Sequence, residues 1–393
     1  MSRIRSAKRV NAFADSVFGE MTRLANLHKA VNLSQGFPDF NAPSAVKEAA
    51  CAAIRDDQNQ YAPPYGTREL REAIAGDVAS RQGIPVNADE QVTVCCGSTE
   101  AMMAVMMGCI DPGDEVIVFE PFYENYGPDA IMAGAQPKFV RLRQPDWSFD
   151  PDELARAFSN RTRAIVINSP NNPTGKVFSR AELQVIADLC QRWDVLAISD
   201  EIYERIVFDG QPHVSIASLP GMADRTVITS GLSKTYSVTG WRVGWAIAPA
   251  ALTGGIRKIH DFLTVAAPTP FQDAGVVALS MPPASYVALA ADYQAKRDLM
   301  LDILARHGFT SYRPGGAYYV IADVEKYGFD TDTEFAQYLV KEIGVATIPG
   351  SSFYIDPASA PKTVRFCFSK RTETLLEADR RLARLPVSAP YKA

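Results

Sequence analysis

The chain has 393 residues, 47% of them apolar and 22% charged, an ordinary globular balance that excludes a disordered tract, a collagen-like repeat and a disulfide-held miniprotein. At about 150 residues per domain, the length sets a prior of two to three domains. Forty Lys and Arg against 45 Asp and Glu leave a formal charge of −5, so no basic excess is available to neutralise a nucleic acid or an anionic membrane.

In chain order, the opening segment Met1 to Phe13 carries charge with no apolar run behind it and does not read as a secretory signal. Residues 1–45 lack strand periodicity and are rich in turn formers, among them Gly36, Pro38, Asp39, Asn41 and Pro43. From about residue 90 to 247, β-branched runs alternate with segments of helical period. Gln91 to Val94, Glu115 to Phe119, Arg163 to Ile167, Val195 to Ile198 and Arg225 to Ile228 predict strands; Thr99 to Cys109, Tyr123 to Met132 and Ser179 to Trp193 predict helices. That alternation predicts a mostly parallel sheet covered on both faces, with ligands at the carboxyl ends of its strands. The uncharged stretch Ala274 to Ala291 contains Ser280, Pro282 and Pro283, and reads as a buried helix, a break and a second helix start, not a membrane span.

Beyond about residue 285 the texture changes: a long helix (Tyr286 to Arg306), a break at Gly315-Gly316, short strands around 317–323 and 363–368, and a closing helix from Glu373 to Leu385. The expected division is a larger domain over 46–285 and a smaller α/β domain built from 286–393 with the N-terminal 1–45. Six cysteines, at 51, 95, 96, 109, 190 and 367, show no C-x-x-C pair and read as reduced thiols, which points to a cytoplasmic setting. Four histidines (28, 213, 260, 307) lack metal-ligand spacing, so no metal is expected, and no G-x-G-x-x-G follows a strand to bind a nicotinamide.

The densest run of chemistry-bearing residues is Ser230-Gly231-Leu232-Ser233-Lys234-Thr235-Tyr236-Ser237-Val238-Thr239-Gly240-Trp241-Arg242-Val243-Gly244, behind a predicted strand. A lysine at the end of a buried strand loses hydration of its charged form, which leaves a neutral amine able to attack an aldehyde. Arg242 supplies a planar, permanent charge suited to a phosphate. Taken alone, this spacing reads first as a surface-loop lysine and a structural arginine. Asp200 follows a strand that should be central, where an uncompensated carboxylate is costly, although an Asp after a strand is also a common helix cap. Gly97-Ser98-Thr99 joins a strand to a helix, so its N–H groups and hydroxyls suit either a phosphate or a plain cap. Arg365 is embedded in an apolar strand beside Val364, Phe366, Cys367 and Phe368 and needs an anionic partner, from substrate or from the protein itself.

Together these segments resemble the class I aminotransferases, enzymes that carry pyridoxal 5′-phosphate on the fold shared with aspartate aminotransferase. Gly231 to Gly244 fits that family's cofactor-attachment signature, and the resemblance runs from Asn32-Leu33-Ser34-Gln35-Gly36-Phe37-Pro38-Asp39-Phe40 to Val364-Arg365-Phe366. Asn59-Gln60-Tyr61 and Asn168-Ser169-Pro170-Asn171-Asn172-Pro173-Thr174-Gly175 are similar to the kynurenine, glutamine and methionine aminotransferase group. The resemblance implies an α/β fold of type I, a large domain with a mostly parallel seven-stranded sheet plus a smaller α/β domain. It implies that Lys234 holds the cofactor aldehyde and acts as the base, and that Asp200 keeps the ring nitrogen protonated. Tyr203 and Asn172 would lie beside the cofactor's phenolic oxygen and Tyr123 would stack on the ring. Gly97, Ser98, Thr99, Ser230 and Arg242 would hold the phosphate. Arg365, with Gly36 and Asn172, would hold the substrate. Tyr61 would reach the phosphate of a partner subunit, making a homodimer with shared sites.

The implied reaction moves the amino group of an amino acid to a 2-oxo acid with ping-pong kinetics. Val265-Ala266-Ala267-Pro268-Thr269 has small residues where the kynurenine and glutamine enzymes carry an aromatic-histidine pair, and no distal-carboxylate arginine is evident, so a neutral or moderately polar L-amino acid is expected. A lyase or cyclase of the same fold is the alternative, because the same lysine, aspartate and arginine set also serves elimination and ring closure. A non-catalytic binding module on this fold is the third reading.

Overall fold

The computed structural model describes residues 6–13 and 16–386. Residues 1–5, within the segment read as no secretory signal, and 387–393, the end of the expected smaller domain, lie outside the described residues, as do 14–15. In chain order the strands are β1 Val31–Asn32, β2 Val92–Cys95, β3 Glu115–Glu120, β4 Gln136–Arg141, β5 Thr162–Asn168, β6 Leu196–Asp200, β7 Thr226–Gly231, β8 Gly244–Ile247, β9 Thr310–Tyr312, β10 Tyr319–Asp323, β11 Val345–Ala346, β12 Ile348–Pro349 and β13 Thr363–Cys367.

Seven of them form the central sheet, in the order β2-β8-β7-β6-β5-β3-β4. Every pairing among β3 to β7 is parallel, and β8 runs antiparallel to both its neighbours. Strands β3, β6 and β7 are buried at every residue, which is why they read as continuous apolar runs and not as alternating ones. Register places Asn168 beside Asp200 and Asp200 beside Thr229, so β5, β6 and β7 end together along one edge. Helices bury this sheet: Ser98–Cys109 packs with Met102, Val105 and Met106 against one side, while Arg180–Trp193 packs with Leu183, Ile186 and Cys190 against the other. The latter starts at a full capping box, Ser179 with Glu182, where the sequence predicts its start.

A second sheet, β12-β13-β10-β9, is antiparallel throughout. Its core joins Phe309, Tyr318, Phe335, Phe366 and Leu375 to Met21 and Leu24 of the helix Val17–Leu27. The predicted break after residue 279 is present: Thr269–Leu279 and Pro283–Arg306 meet at 93°. Among the described residues no single helix is long and apolar enough to cross a membrane.

The structure adds strands that local pattern does not show. The N-terminal segment, expected to lack a strand, contributes β1, which pairs in parallel with β11 more than three hundred residues later. β4 is a partly exposed edge strand carrying Pro137, Lys138 and Arg141, and so shows no apolar alternation. β8 is four residues long and follows the lysine loop directly.

Candidate active site

A cavity of about 260 Å³ lies at the carboxyl ends of β5 to β7, lined there by Asn168, Asp200 and Lys234. The chain leaves β7 at Gly231, whose Cβ position is filled by the Val243 carbonyl and Gly244; the turn that follows carries Lys234 into the cavity. Its Nζ donates to the Gly36 carbonyl at 3.2 Å. Loss of hydration pulls its pKa down from 10.5 to about 8, with help from the Arg242 and Arg365 charges. Near neutrality a usable fraction of the amine is therefore unprotonated.

Asp200 ends β6. Its Oδ2 accepts from the Tyr126 hydroxyl at 2.7 Å and its Oδ1 from the Ile202 N–H at 3.2 Å. Burial outweighs both donors and pushes its pKa up to about 6. Such a carboxylate is stabilised by a cationic or protonated group arriving from the cavity. Asn168, the last residue of β5, donates to the Asp200 carbonyl and accepts from the Asn172 N–H, which fixes the following turn. Tyr203 shares a 2.9 Å hydrogen bond with the Tyr319 hydroxyl, and both rings line the cavity. Tyr123 lines it too, standing edge-on to Tyr126, and burial pushes its hydroxyl pKa up to about 12.

Ser98, Thr99, Ser233, Thr239 and Arg242 gather on another side, at the N-terminus of the helix Ser98–Cys109. Gly97, at φ 85°, is required here: a Cβ would overlap the Arg242 guanidinium. A Cβ on Gly244 would likewise overlap the Gly97-Ser98 backbone. Small residues thus let an arginine lie against a helix start beside four hydroxyl groups, an arrangement suited to a phosphate dianion.

Arg365 is fully buried in β13. Its Nη1 donates to Asn172 Oδ1 at 2.7 Å and its Nη2 to the Ser34 carbonyl at 2.6 Å, and its guanidinium lies 4.1 Å from the centre of the Tyr319 ring. Its Nε has no partner. Among the described residues it forms no ion pair, which removes the intramolecular-pair reading. Arg365 stands directly behind Asn172 and Tyr319, which line the cavity.

Lys234, Asp200, Tyr203, Asn172, Tyr123, Ser98, Thr99, Arg242 and Gly36 therefore converge on one space. Of the other expected residues, Gly97 lies against Arg242 and Arg365 stands behind the lining, while Ser230 and Tyr61 take no part in it. The Ser230 hydroxyl turns to the Glu201 carbonyl at 3.5 Å, and Ser233 lines the cavity in its place. Tyr61 is 82% exposed and does not line the cavity of its own chain. Sequence reasoning missed Tyr126, Tyr319, Phe18 and Gln35, all lining residues. Nothing in local pattern marks them, although Gln35 and Asn168 sit inside the motifs singled out above.

Residues 28–382 match the family described as aminotransferase class I and II. The chain is 41% identical to a probable N-succinyldiaminopimelate aminotransferase of Mycobacterium tuberculosis, over 96% of this chain and 98% of that protein. It is 39% identical to mouse kynurenine–oxoglutarate transaminase 3, over 96% of this chain and 89% of that one. A solved Escherichia coli structure described as having a methionine aminotransferase function superposes with a TM-score of 0.93 at 37% identity, covering 97% of this chain and 100% of the other. The chain belongs to the class I and II aminotransferases: it is a pyridoxal 5′-phosphate enzyme of fold type I that moves amino groups between amino acids and 2-oxo acids.

Proposed function

We propose that Lys234, Asp200 and Arg365 divide the work of amino transfer, with a neutral or moderately polar L-amino acid as donor. The observation that carries this is the meeting, around one cavity, of an amine with a lowered pKa, a buried carboxylate with a raised one, and a buried guanidinium without an anion. The donor set fits the cofactor. The cradle left by Gly97 and Gly244 suits its phosphate, and Asp200 suits a protonated ring nitrogen. When bound, pyridoxal 5′-phosphate supplies an aldehyde for the amino group and a ring that accepts the electron pair released at the substrate Cα.

The chain's own residues supply the rest. Lys234 would hold the cofactor aldehyde and, as a free amine, would take the proton from the substrate Cα. Asp200 would keep a proton on the ring nitrogen, and Tyr126 orients Asp200. Ser98, Thr99, Ser233 and Arg242 would hold the phosphate, Tyr123 would flank the ring, and Tyr203 and Asn172 would serve its phenolic oxygen. Arg365 exchanges its carbonyl and amide acceptors for the substrate carboxylate, and the Gly36 backbone stays close because Gly36 has no Cβ to meet Tyr319. Lys234 and Arg242 are the cations lining the described cavity, which leaves none for a distal carboxylate and favours a neutral side chain.

We read 46–285 as the large domain and 1–45 with 286–393 as the small one, closing over the substrate. The homodimer is supported by exposed apolar side chains: Tyr61 on its loop, and Phe262 (88% exposed) and Val265 at the end of the helix Ala250–Thr264. Six unpaired thiols support a cytoplasmic setting.

Incubation of the pyridoxal form with single amino acids tests the assignment, beginning with methionine, kynurenine and N-succinyldiaminopimelate, for which the relatives are named. The expected result is stoichiometric conversion to the pyridoxamine form with a productive neutral donor, together with borohydride trapping of the cofactor at position 234. Trapping elsewhere, or a Lys234→Ala chain with unchanged absorbance and turnover, rejects Lys234.

A further inference from the structure

The phosphate-side turn is braced from behind by a buried histidine and a partly buried glutamate that neither the family motifs nor the cavity lining includes. Glu100, in the first turn of the helix Ser98–Cys109, folds back so that its Oε2 accepts from the Cys96 N–H at 2.9 Å. The same carboxylate faces Nδ1 of His260 at 2.9 Å, and His260, on the helix Ala250–Thr264, is fully buried. On its other edge His260 Nε2 meets the Pro64 carbonyl at 2.6 Å. A carbonyl only accepts, so Nε2 carries a hydrogen. A carboxylate already accepting from a backbone N–H favours the proton on Nδ1 as well. The hydrogen bonds thus describe an imidazolium clamped between an anion and a carbonyl.

Pro64 lies in the loop that carries Tyr61. That loop is held at three points: Thr269 Oγ1 donates to the Gln60 carbonyl at 2.6 Å, His260 to Pro64, and the Val94 N–H to the Tyr65 carbonyl at 3.0 Å. Glu100 and His260 therefore form a continuous link from the Cys96–Thr99 turn to the Tyr61 loop.

We propose that Glu100 and His260 are a positioning pair that holds the phosphate turn and the Tyr61 loop in register, so that cofactor retention depends on the charge of His260. The proposal rests on the reading of Gly97–Thr99 as the phosphate holder. The groups facing His260 are Glu100 and Cys95 from the phosphate-side turn and its helix, Pro64 from the loop, and Asp261 and Thr264 from its own helix. Burial works against the imidazolium, but Glu100 outweighs it and the His260 pKa is raised. The link is therefore complete below the ordinary histidine pKa of 6.5 and is lost as pH rises through the raised value.

The experiment measures cofactor release from the holoenzyme, followed by absorbance after dilution into a trap for free pyridoxal phosphate. Glu100→Gln and His260→Gln are each expected to release it about tenfold faster at pH 6.5, and the double variant no faster than either single one. The ratio of variant to wild-type rates should shrink as pH rises to about 9. Histidine-selective ¹⁵N spectra of the holoenzyme, which has only four histidines, should show one imidazolium that persists above pH 7 and disappears in His260→Gln. Unchanged release rates, effects that multiply in the double variant, or a neutral His260 at pH 6.5 would overturn the proposal. If the wild type takes up the cofactor but borohydride traps it away from Lys234, the assignment of the site fails instead, while the two single variants still report on the brace.

Discussion

Asp200 and Glu201 are chain neighbours at the end of β6, and both are buried, yet their surroundings shift their pKa values in opposite directions. Glu201 points away from the cavity. Its Oε1 accepts from Ser199 at 2.9 Å and Ser215 at 2.6 Å, and its Oε2 from Gln82 at 2.9 Å and His213 at 3.0 Å. Burial opposes its charge, but His213 and these donors overcome burial and hold its pKa below the ordinary carboxylate range. Asp200 has one hydroxyl and one N–H, burial wins, and its pKa rises to about 6. The lesson is that burial alone does not set charge. A carboxylate given every donor it can use is a structural anchor, whereas one left short is held ready for a ligand.

The largest expected break in this comparison comes from Asp200→Asn. Removing the ring-nitrogen partner should slow the half-reaction about 10³-fold in stopped-flow absorbance. In the apoenzyme the same change should stabilise the fold. A carboxyl pKa raised from 3.8 to about 6 costs the folded state stability as pH climbs through that interval, worth about 3 kcal/mol at pH 8. An Asp200→Asn apoenzyme less stable than wild type at pH 8 would refute the under-satisfied reading.

Glu201→Gln should do the reverse. It leaves buried donors unmet and lowers stability by about 3 kcal/mol in denaturant melts at neutral pH, while the folded fraction keeps its rate. Because the Glu201 pKa is depressed, its stabilising contribution is present above the ordinary value of 4.5 and is lost as pH falls towards the lowered one, so variant and wild type should converge in acid. Melts that stay equally separated at pH 7 and pH 3 would contradict this.

Tyr126→Phe gives the smallest and sharpest effect. It removes one donor from an ionised Asp200, raises that pKa further, and should move the acid limb of cofactor uptake by the apoenzyme to higher pH, with about a tenfold loss of affinity at pH 6. An unmoved limb would mean that Tyr126 only fills space.

The chain order of motifs made Lys234, Asp200, Arg242 and Arg365 legible, because each is a charged or reactive residue placed where an apolar strand or a glycine turn makes charge conspicuous. Tyr126, Tyr319 and Phe18 were not legible, since an aromatic residue in an apolar segment looks the same whether it packs in a core or faces a ligand. Ser230 directly precedes the attachment signature, yet its side chain turns towards Glu201, while Ser233, on the turn that follows β7, faces the cavity. The N-terminal β1 was invisible for a different reason: two residues have no periodicity, and their pairing energy comes from β11.

By itself, then, the chain's residue pattern determined the alternation of strands and helices, the family and the lysine that defines its chemistry. Those properties are local: burial period, turn residues and a short signature. Tertiary structure alone decided which hydroxyls face the cavity, that Arg365 is left without an anion, that Asp200 and Glu201 diverge, and that His260 bridges Glu100 to the Tyr61 loop. These depend on distances between residues tens to hundreds of positions apart, and ionisation in a buried site follows from the donors that folding happens to bring within reach.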